Sequence, residues 1–195
     1  MTWENAWQEG RTGWDAGASP PSLVELVGGK TLPDGLAVVP GCGAGYDVLT
    51  LAMDGRRVVG IDVAPTAGKR FDALRDEAGV DPEAARIHVG DFFSFDPGEP
   101  VHLFWDYTFF CAIAPDMRRD WAARVDALLA DDGELITLVF PTVEFGPPDG
   151  PPYKVDLDLY RAALGDRFEP SHIDESPPSH KGRVGKEFLV RWKRT

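Results

Sequence analysis

Residues 36–47 read LAVVPGCGAGYD, a short apolar run that breaks into three glycines at alternate positions, Gly41, Gly43 and Gly45. An apolar strand that ends in such a loop and leads into a helix brings bare backbone close to a ligand, because glycine has no Cβ to clash and tolerates positive φ. A second apolar run, RRVVGID, closes on Asp62. This lies about twenty residues beyond the first glycine, where a carboxylate at a strand tip can accept both hydroxyls of a ribose. Strand, glycine loop, helix, strand and acid in that order describe a nucleotide-type site and an α/β fold.

The glycine spacing narrows the ligand. A dinucleotide fingerprint needs a third glycine at the sixth position, where Tyr46 stands, which disfavours NAD. No Walker lysine and hydroxyl residue follow, so a P-loop is excluded. The spacing resembles the GxGxG of S-adenosylmethionine (SAM) methyltransferases. Asp91, in HVGDFF after a third apolar strand, stands where that class sets a side chain against the adenine amine.

The 195 residues are 43% hydrophobic, enough for one domain with a sizeable core and too few for two. Twenty Lys and Arg against 32 Asp and Glu give a net charge of -12, which repels nucleic-acid phosphates and anionic membranes. A salt-adapted host or an ordinary acidic enzyme would both explain that charge. Two cysteines, Cys42 and Cys111, with no CxxC and no clustering with the four histidines, suggest neither a disulfide framework nor a zinc site. MTWENAWQEG has no cationic start and no apolar core, and no run reaches the length of a membrane span. A cytoplasmic protein, expected to be monomeric, is the default.

Along the chain, hydrophobic periodicity and breakers predict a short helix in 20–32, a strand at 36–40, a helix at 46–54 and a strand at 57–62. Ala67, Phe71, Leu74 and Ala78 recur at helical spacing and stop at Gly79. Strands follow at 87–90 and 101–107. Met117, Trp121, Val125, Leu128 and Leu129 share one helical face, with Gly133 expected to end that helix. A fifth strand covers 134–140. Residues 141–153, with five prolines and two glycines, read as an irregular lid loop. A short helix around Leu157, Tyr160 and Leu164, an edge strand at 168–173 and a last strand at 187–192 complete the pattern. The prediction is a mainly parallel, seven-stranded Rossmann-like sheet flanked by helices, with ligands at the carboxyl ends of its strands and an N-terminal helical arm over residues 1–32.

Trp3 and Trp7 share a helical face and Trp14 follows closely. Such a cluster can dock an arm on the core or fold it over a cofactor, aromatic faces toward a cation. The chain as a whole resembles the thiopurine methyltransferase family, and within it the small thiol, thiocyanate and halide methyltransferases. The resemblance rests on WENAWQEGRTGWD, VVPGCGAGYDV, GIDV, GDFF, DYTFFCAI, DGELITLVFP, GPPYKV and the basic, glycine-containing segment leading to RWK.

That resemblance implies the class I SAM methyltransferase fold and assigns Trp3, Trp7 and Trp14 to wrapping SAM. It sets Gly41 beneath the methionine portion, with Gly43 and Gly45 as further cofactor-binding residues of the loop, Asp62 at the ribose, Asp91 and Phe92 at the adenine, and Tyr107 beside the cofactor. Phe140 and Tyr153 match acceptor-pocket positions, with Phe110 and Lys154 as further candidates. It implies methyl transfer by in-line displacement to a halide, thiocyanate, hydrosulfide or thiol, with S-adenosylhomocysteine as co-product. A thiopurine-type aromatic thiol is the alternative acceptor, and a non-catalytic SAM-binding protein or a nicotinamide oxidoreductase are readings from other classes. A soft anion needs no strong base, so no catalytic dyad is expected. His88 and His102 read as structural or exposed and His172 is unassigned. His180 is a candidate proton acceptor for neutral thiols. Lys154 and Arg183 could attract an anion locally, Cys42 and Cys111 read as packed residues, and Asp47 and Asp106 as helix or turn caps.

Overall fold

In a computed structural model, which describes residues 2–147 and 149–195, seven strands form one sheet in the order β3-β2-β1-β4-β5-β7-β6. These are β1 (Leu36–Pro40), β2 (Arg57–Asp62), β3 (Ala85–Val89), β4 (Val101–Tyr107), β5 (Leu129–Val139), β6 (Phe168–Asp174) and β7 (Phe188–Arg194). The first five are parallel, and β7 runs antiparallel to both β5 and β6. The helices between them are α1 (Trp3–Gln8), α2 (Pro21–Gly28), α3 (Tyr46–Met53), α4 (Pro65–Glu77), α5 (Arg118–Leu128) and α6 (Leu157–Leu164). This is the expected Rossmann-like arrangement.

Alternation along the strands divides the core into two layers. Val38, Phe104, Leu135 and Val139 face one layer with Trp121 and Val125 of α5 and Tyr160 and Leu164 of α6. Ala37, Val39, Leu103, Trp105, Ile136 and Leu138 face the other, with Leu23 of α2, Val48 and Leu51 of α3 and Phe71 of α4. Both faces of the central strands are thus covered, which is why β1 reads as a continuous apolar run.

The boundary between α5 and β5 departs from the periodicity by several residues. The helix expected to continue through Leu129 to Gly133 ends at Leu128, and Leu129 already pairs with Val101 of β4. The register then shifts between Val101 and Leu103. A Cβ on Gly133 would lie 2.9 Å from both the Val101 carbonyl oxygen and Leu129 Cδ1. Gly133 therefore serves a crowded strand irregularity and not a helix end.

Topology sets the site. The parallel strands deliver Gly41, Asp62, Tyr107 and Phe140 to one edge of the sheet. Because β7 is antiparallel, with Phe188 opposite Val139, the residue just before it, Glu187, arrives at that same edge.

Candidate active site

The glycine loop adopts left-handed backbone at all three positions, with φ of 57°, 54° and 76° at Gly41, Gly43 and Gly45. A Cβ at Gly41 would fall 2.4 Å from the Phe109 ring, so this position is closed to side chains on both conformational and steric grounds. The Gly43 amide donates to Asp62 Oδ2 at 2.9 Å and the Ala64 amide to Asp62 Oδ1 at 2.9 Å. Burial pushes the Asp62 carboxyl up, while the backbone amides of Ala64, Gly43 and Val63 pull it back.

The N-terminal tryptophans close one side of this loop. Trp7 is buried, and a Cβ on Gly43 would meet its ring at 3.3 Å. The Trp3 and Trp7 rings contact Trp14 edge to face, at centroid distances of 5.1 and 6.1 Å. The arm is pinned by Glu4, which accepts from the Thr66 amide at 3.0 Å and the Thr66 hydroxyl at 2.6 Å at the start of α4. Arg70 lies 5.4 Å over the Trp7 ring. Met1 lies outside the described residues.

Asp91 and Phe92 separate in character. Asp91 is exposed, its Oδ1 accepting from the Phe93 amide at 3.1 Å. Phe92 is buried, in edge contact with Phe104 and Phe109. The turn after β3 is thus ordered by the acid and anchored by the ring.

Two aspartates hold the frame. Asp47, at the start of α3, accepts from the Trp105 indole N–H at 2.7 Å, and burial pushes its carboxyl up to about 6. Asp106 accepts from the Phe110 amide at 3.2 Å and the Trp121 indole at 2.8 Å, and burial pushes it to about 7. Between them Tyr107 is followed by Thr108, whose φ of 68° turns the chain sharply back. That left-handed backbone is costly for a branched side chain. The Thr108 hydroxyl, which donates to the Tyr107 carbonyl at 2.6 Å, helps to hold it.

Around the Tyr107 hydroxyl sits a charged cluster. Tyr107 donates to Glu187 Oε1 at 2.6 Å and accepts from Arg183 Nη1. Arg183 Nη2 donates to the Trp14 carbonyl at 2.6 Å, tying the arm to the site. Its guanidinium stacks 4.5 Å over Phe140 and 5.0 Å over Tyr107. Glu187 is 1% exposed, and its Oε2 has no hydrogen-bond partner among the described residues, nor has His180 Nε2 nearby. Burial and Arg183 hold the His180 imidazole below its usual range.

On the other side of the turn, Arg118 at the start of α5 is 7% exposed, with Nε and Nη2 unpartnered among the described residues. It lies 4.9 Å over Phe110 and 5.9 Å over Tyr153, and burial lowers its proton affinity. Phe110 itself belongs to the core, stacked on Tyr160 at 3.9 Å. The Tyr153 amide donates to the Cys111 carbonyl at 2.8 Å, which seats the end of segment 141–153 on this turn. Lys154 is exposed, 3.5 Å from Glu144, and stands outside the cluster. Pro148 of that segment lies outside the described residues. Burial pushes the Cys111 thiol up to about 12 and Cys42 well above its ordinary value, so neither is a thiolate at neutral pH.

The structure brings the glycine loop, Asp62, Tyr107 and Phe140 to one edge of the sheet with the tryptophans and Tyr153 near them, and it adds Arg118 and Glu187, which the sequence reading did not single out. Arg118 stands beside Arg119 in PDMRRDW with nothing to distinguish the buried one from the exposed one. Glu187 had one signal, a lone acid within the basic closing segment. A glycine loop in left-handed backbone, a strand-tip carboxylate and an aromatic arm beside the loop together suit an adenosyl cofactor.

The thiopurine S-methyltransferase family model matches residues 1–188. Thiocyanate methyltransferase 1 of Brassica oleracea is 42% identical over 195 residues, covering 98% of this chain and 84% of that protein. A probable thiol methyltransferase 2 of Arabidopsis thaliana is 42% identical over 200 residues, covering 99% and 84%. Among solved structures, the Burkholderia thailandensis 1,6-didemethyltoxoflavin-N1-methyltransferase shares the fold with a TM-score of 0.73 at 23% identity, over 98% of this chain and 84% of that one. By the extent of the family match and of these similarities, the chain belongs to the thiopurine S-methyltransferase family.

Proposed function

We propose that the protein transfers the methyl group of SAM to a small soft nucleophile, a thiocyanate, halide, hydrosulfide or thiol, and releases S-adenosylhomocysteine. The cofactor supplies a methyl already activated on a sulfonium, so the protein's share of the work is positioning and exclusion of water. In this reading Gly41, Gly43 and Gly45 carry the methionine portion on bare backbone. Asp62 takes the ribose, Asp91 and Phe92 border the adenine, and Trp3, Trp7 and Trp14 close over the site. Tyr107, Phe140 and Tyr153 line the acceptor side, with segment 141–153 as its lid.

The observation that carries the acceptor class is Arg118. A buried guanidinium with two nitrogen atoms unpartnered among the described residues, lying over two aromatic rings, is costly unless an anion completes it. It attracts a soft anion locally against the net charge of -12 and asks for no base. The names of the relatives, thiocyanate and thiol methyltransferases, support the same choice over an aromatic thiopurine. The test is product identification: with SAM and thiocyanate the protein should form methyl thiocyanate with a higher kcat/KM than it shows for 6-mercaptopurine. A higher value for the thiopurine would reverse the assignment.

A further inference from the structure

The nucleophiles named above differ in one respect that the site must handle. Iodide and thiocyanate arrive with a free lone pair, whereas an aliphatic thiol at neutral pH still carries its proton and must lose it before it attacks. Neither cysteine is ionised at that pH, and among the described residues the Tyr107 hydroxyl is bonded to Glu187 and Arg183 rather than to His180. The cluster around Tyr107 does provide a route.

A carboxylate only accepts and a guanidinium only donates, so the bonding around the phenol has one direction. Arg183 Nη1 occupies one lone pair of Tyr107 Oη, and the phenol's own proton points at Glu187 Oε1, 2.6 Å away. The second lone pair of Oη is left by these two bonds, and the Phe140 ring lies near, its centroid 6.4 Å from that of Tyr107. Glu187 is 1% exposed, and its Oε2 is unpartnered among the described residues, so the carboxylate has an oxygen to spare beside the one that faces the phenol.

We propose that Glu187 is the proton sink for acceptors that arrive as neutral thiols, acting through the Tyr107 hydroxyl. This rests on the methyl-transfer reading above. The thiol S–H bond breaks as its proton passes to Tyr107 Oη, and the phenol's original proton passes to Glu187 Oε1. The sulfur keeps the electron pair and attacks the methyl carbon as the sulfonium C–S bond breaks. Negative charge thereby moves from the carboxylate to the thiolate, and Arg183 faces both. Product release readmits water, to which the Glu187 carboxyl returns the proton. Burial holds the phenol protonated, so Tyr107 passes a proton without storing one. Tyr107 is the group that touches the acceptor and Glu187 is a positioning and proton-holding residue behind it. The other titratable or charged groups facing the pair are Arg183 and His180, with Asp47 and Cys111 within reach of Arg183.

The test compares 2-mercaptoethanol with iodide across pH 6 to 10 in the wild type, Glu187→Gln and Tyr107→Phe, following S-adenosylhomocysteine. Below the thiol pKa the thiolate fraction falls about tenfold per pH unit, and a protein without a relay must follow it. The thiol-to-iodide ratio of kcat/KM should therefore fall more steeply in both variants than in the wild type, by at least about tenfold at pH 7, and return toward the wild-type ratio above the thiol pKa. If Glu187→Gln does not fold, Tyr107→Phe carries the comparison. A ratio that stays the same in the variants at every pH, whether activity falls or not, overturns the relay while leaving methyl transfer in place. A wild type that methylates neither acceptor overturns both.

Discussion

Asp62 and Gly43 stand nineteen residues apart and are joined by a 2.9 Å hydrogen bond from the Gly43 amide to the Asp62 carboxylate. One contact thus ties the strand-tip acid to the glycine loop, so the two parts of the proposed cofactor site cannot move independently. Asp62→Ala should lower SAM affinity by roughly 10- to 100-fold, the equivalent of losing a charge-assisted hydrogen bond worth about 1.5–3 kcal/mol. Calorimetric titration with S-adenosylhomocysteine measures this, and an unchanged Kd would remove Asp62 from the site.

Arg118 should separate activity from stability. Its buried guanidinium has Nε and Nη2 unpartnered among the described residues, and such a charge costs stability when no anion is bound. Arg118→Met should raise the KM for thiocyanate by about tenfold or more and at the same time raise Tm. Steady-state kinetics and thermal unfolding check the two halves. A variant that loses stability and keeps its KM would show that Arg118 is a structural residue.

Asp106 gives a pH dependence whose sign is fixed. Its carboxyl is raised from 3.8 to about 7 by burial, so the folded state binds the proton more tightly than the unfolded one. Its contribution is fully present below pH 4 and is lost as pH rises through 7. Asp106→Asn cannot ionise. The stability difference between wild type and this variant should shrink by up to roughly 4 kcal/mol between pH 4 and 8, at about 1.4 kcal/mol per unit. Urea unfolding at several pH values measures it, and a constant difference would refute the assignment.

Glu4 should govern the arm. It bonds both the amide and the hydroxyl of Thr66, and those bonds lower its pKa. Glu4→Gln should speed hydrogen exchange and proteolysis in residues 2–15 and weaken SAM binding. Unchanged exchange would mean that the Trp7 contacts alone hold the arm.

The sequence was most legible where one residue type suffices for one task. Alternating glycines at a strand end, an acid at the next strand tip and apolar runs buried on both sides announce themselves, and the seven strands follow from them. It was least legible where burial decides a residue's meaning. Arg118 and Arg119 are chemically identical, and only packing against Phe110 and Tyr153 makes the first a pocket group. Phe110, a pocket candidate by resemblance, stacks on Tyr160 in the core and also carries Arg118 over its ring. Leu129 kept the helical period of α5 while already serving β5, since one apolar residue satisfies both patterns. Glu187 reaches the site only because β7 runs antiparallel, a topological fact that no local pattern carries.

The most direct measurement is a single-turnover mixture of purified protein and equimolar SAM, to which thiocyanate or iodide is added, with Asp62→Ala as the control. The account predicts near-stoichiometric S-adenosylhomocysteine with the wild type and far less with the control. Tightly bound SAM that survives intact with thiocyanate, iodide and hydrosulfide alike would contradict it.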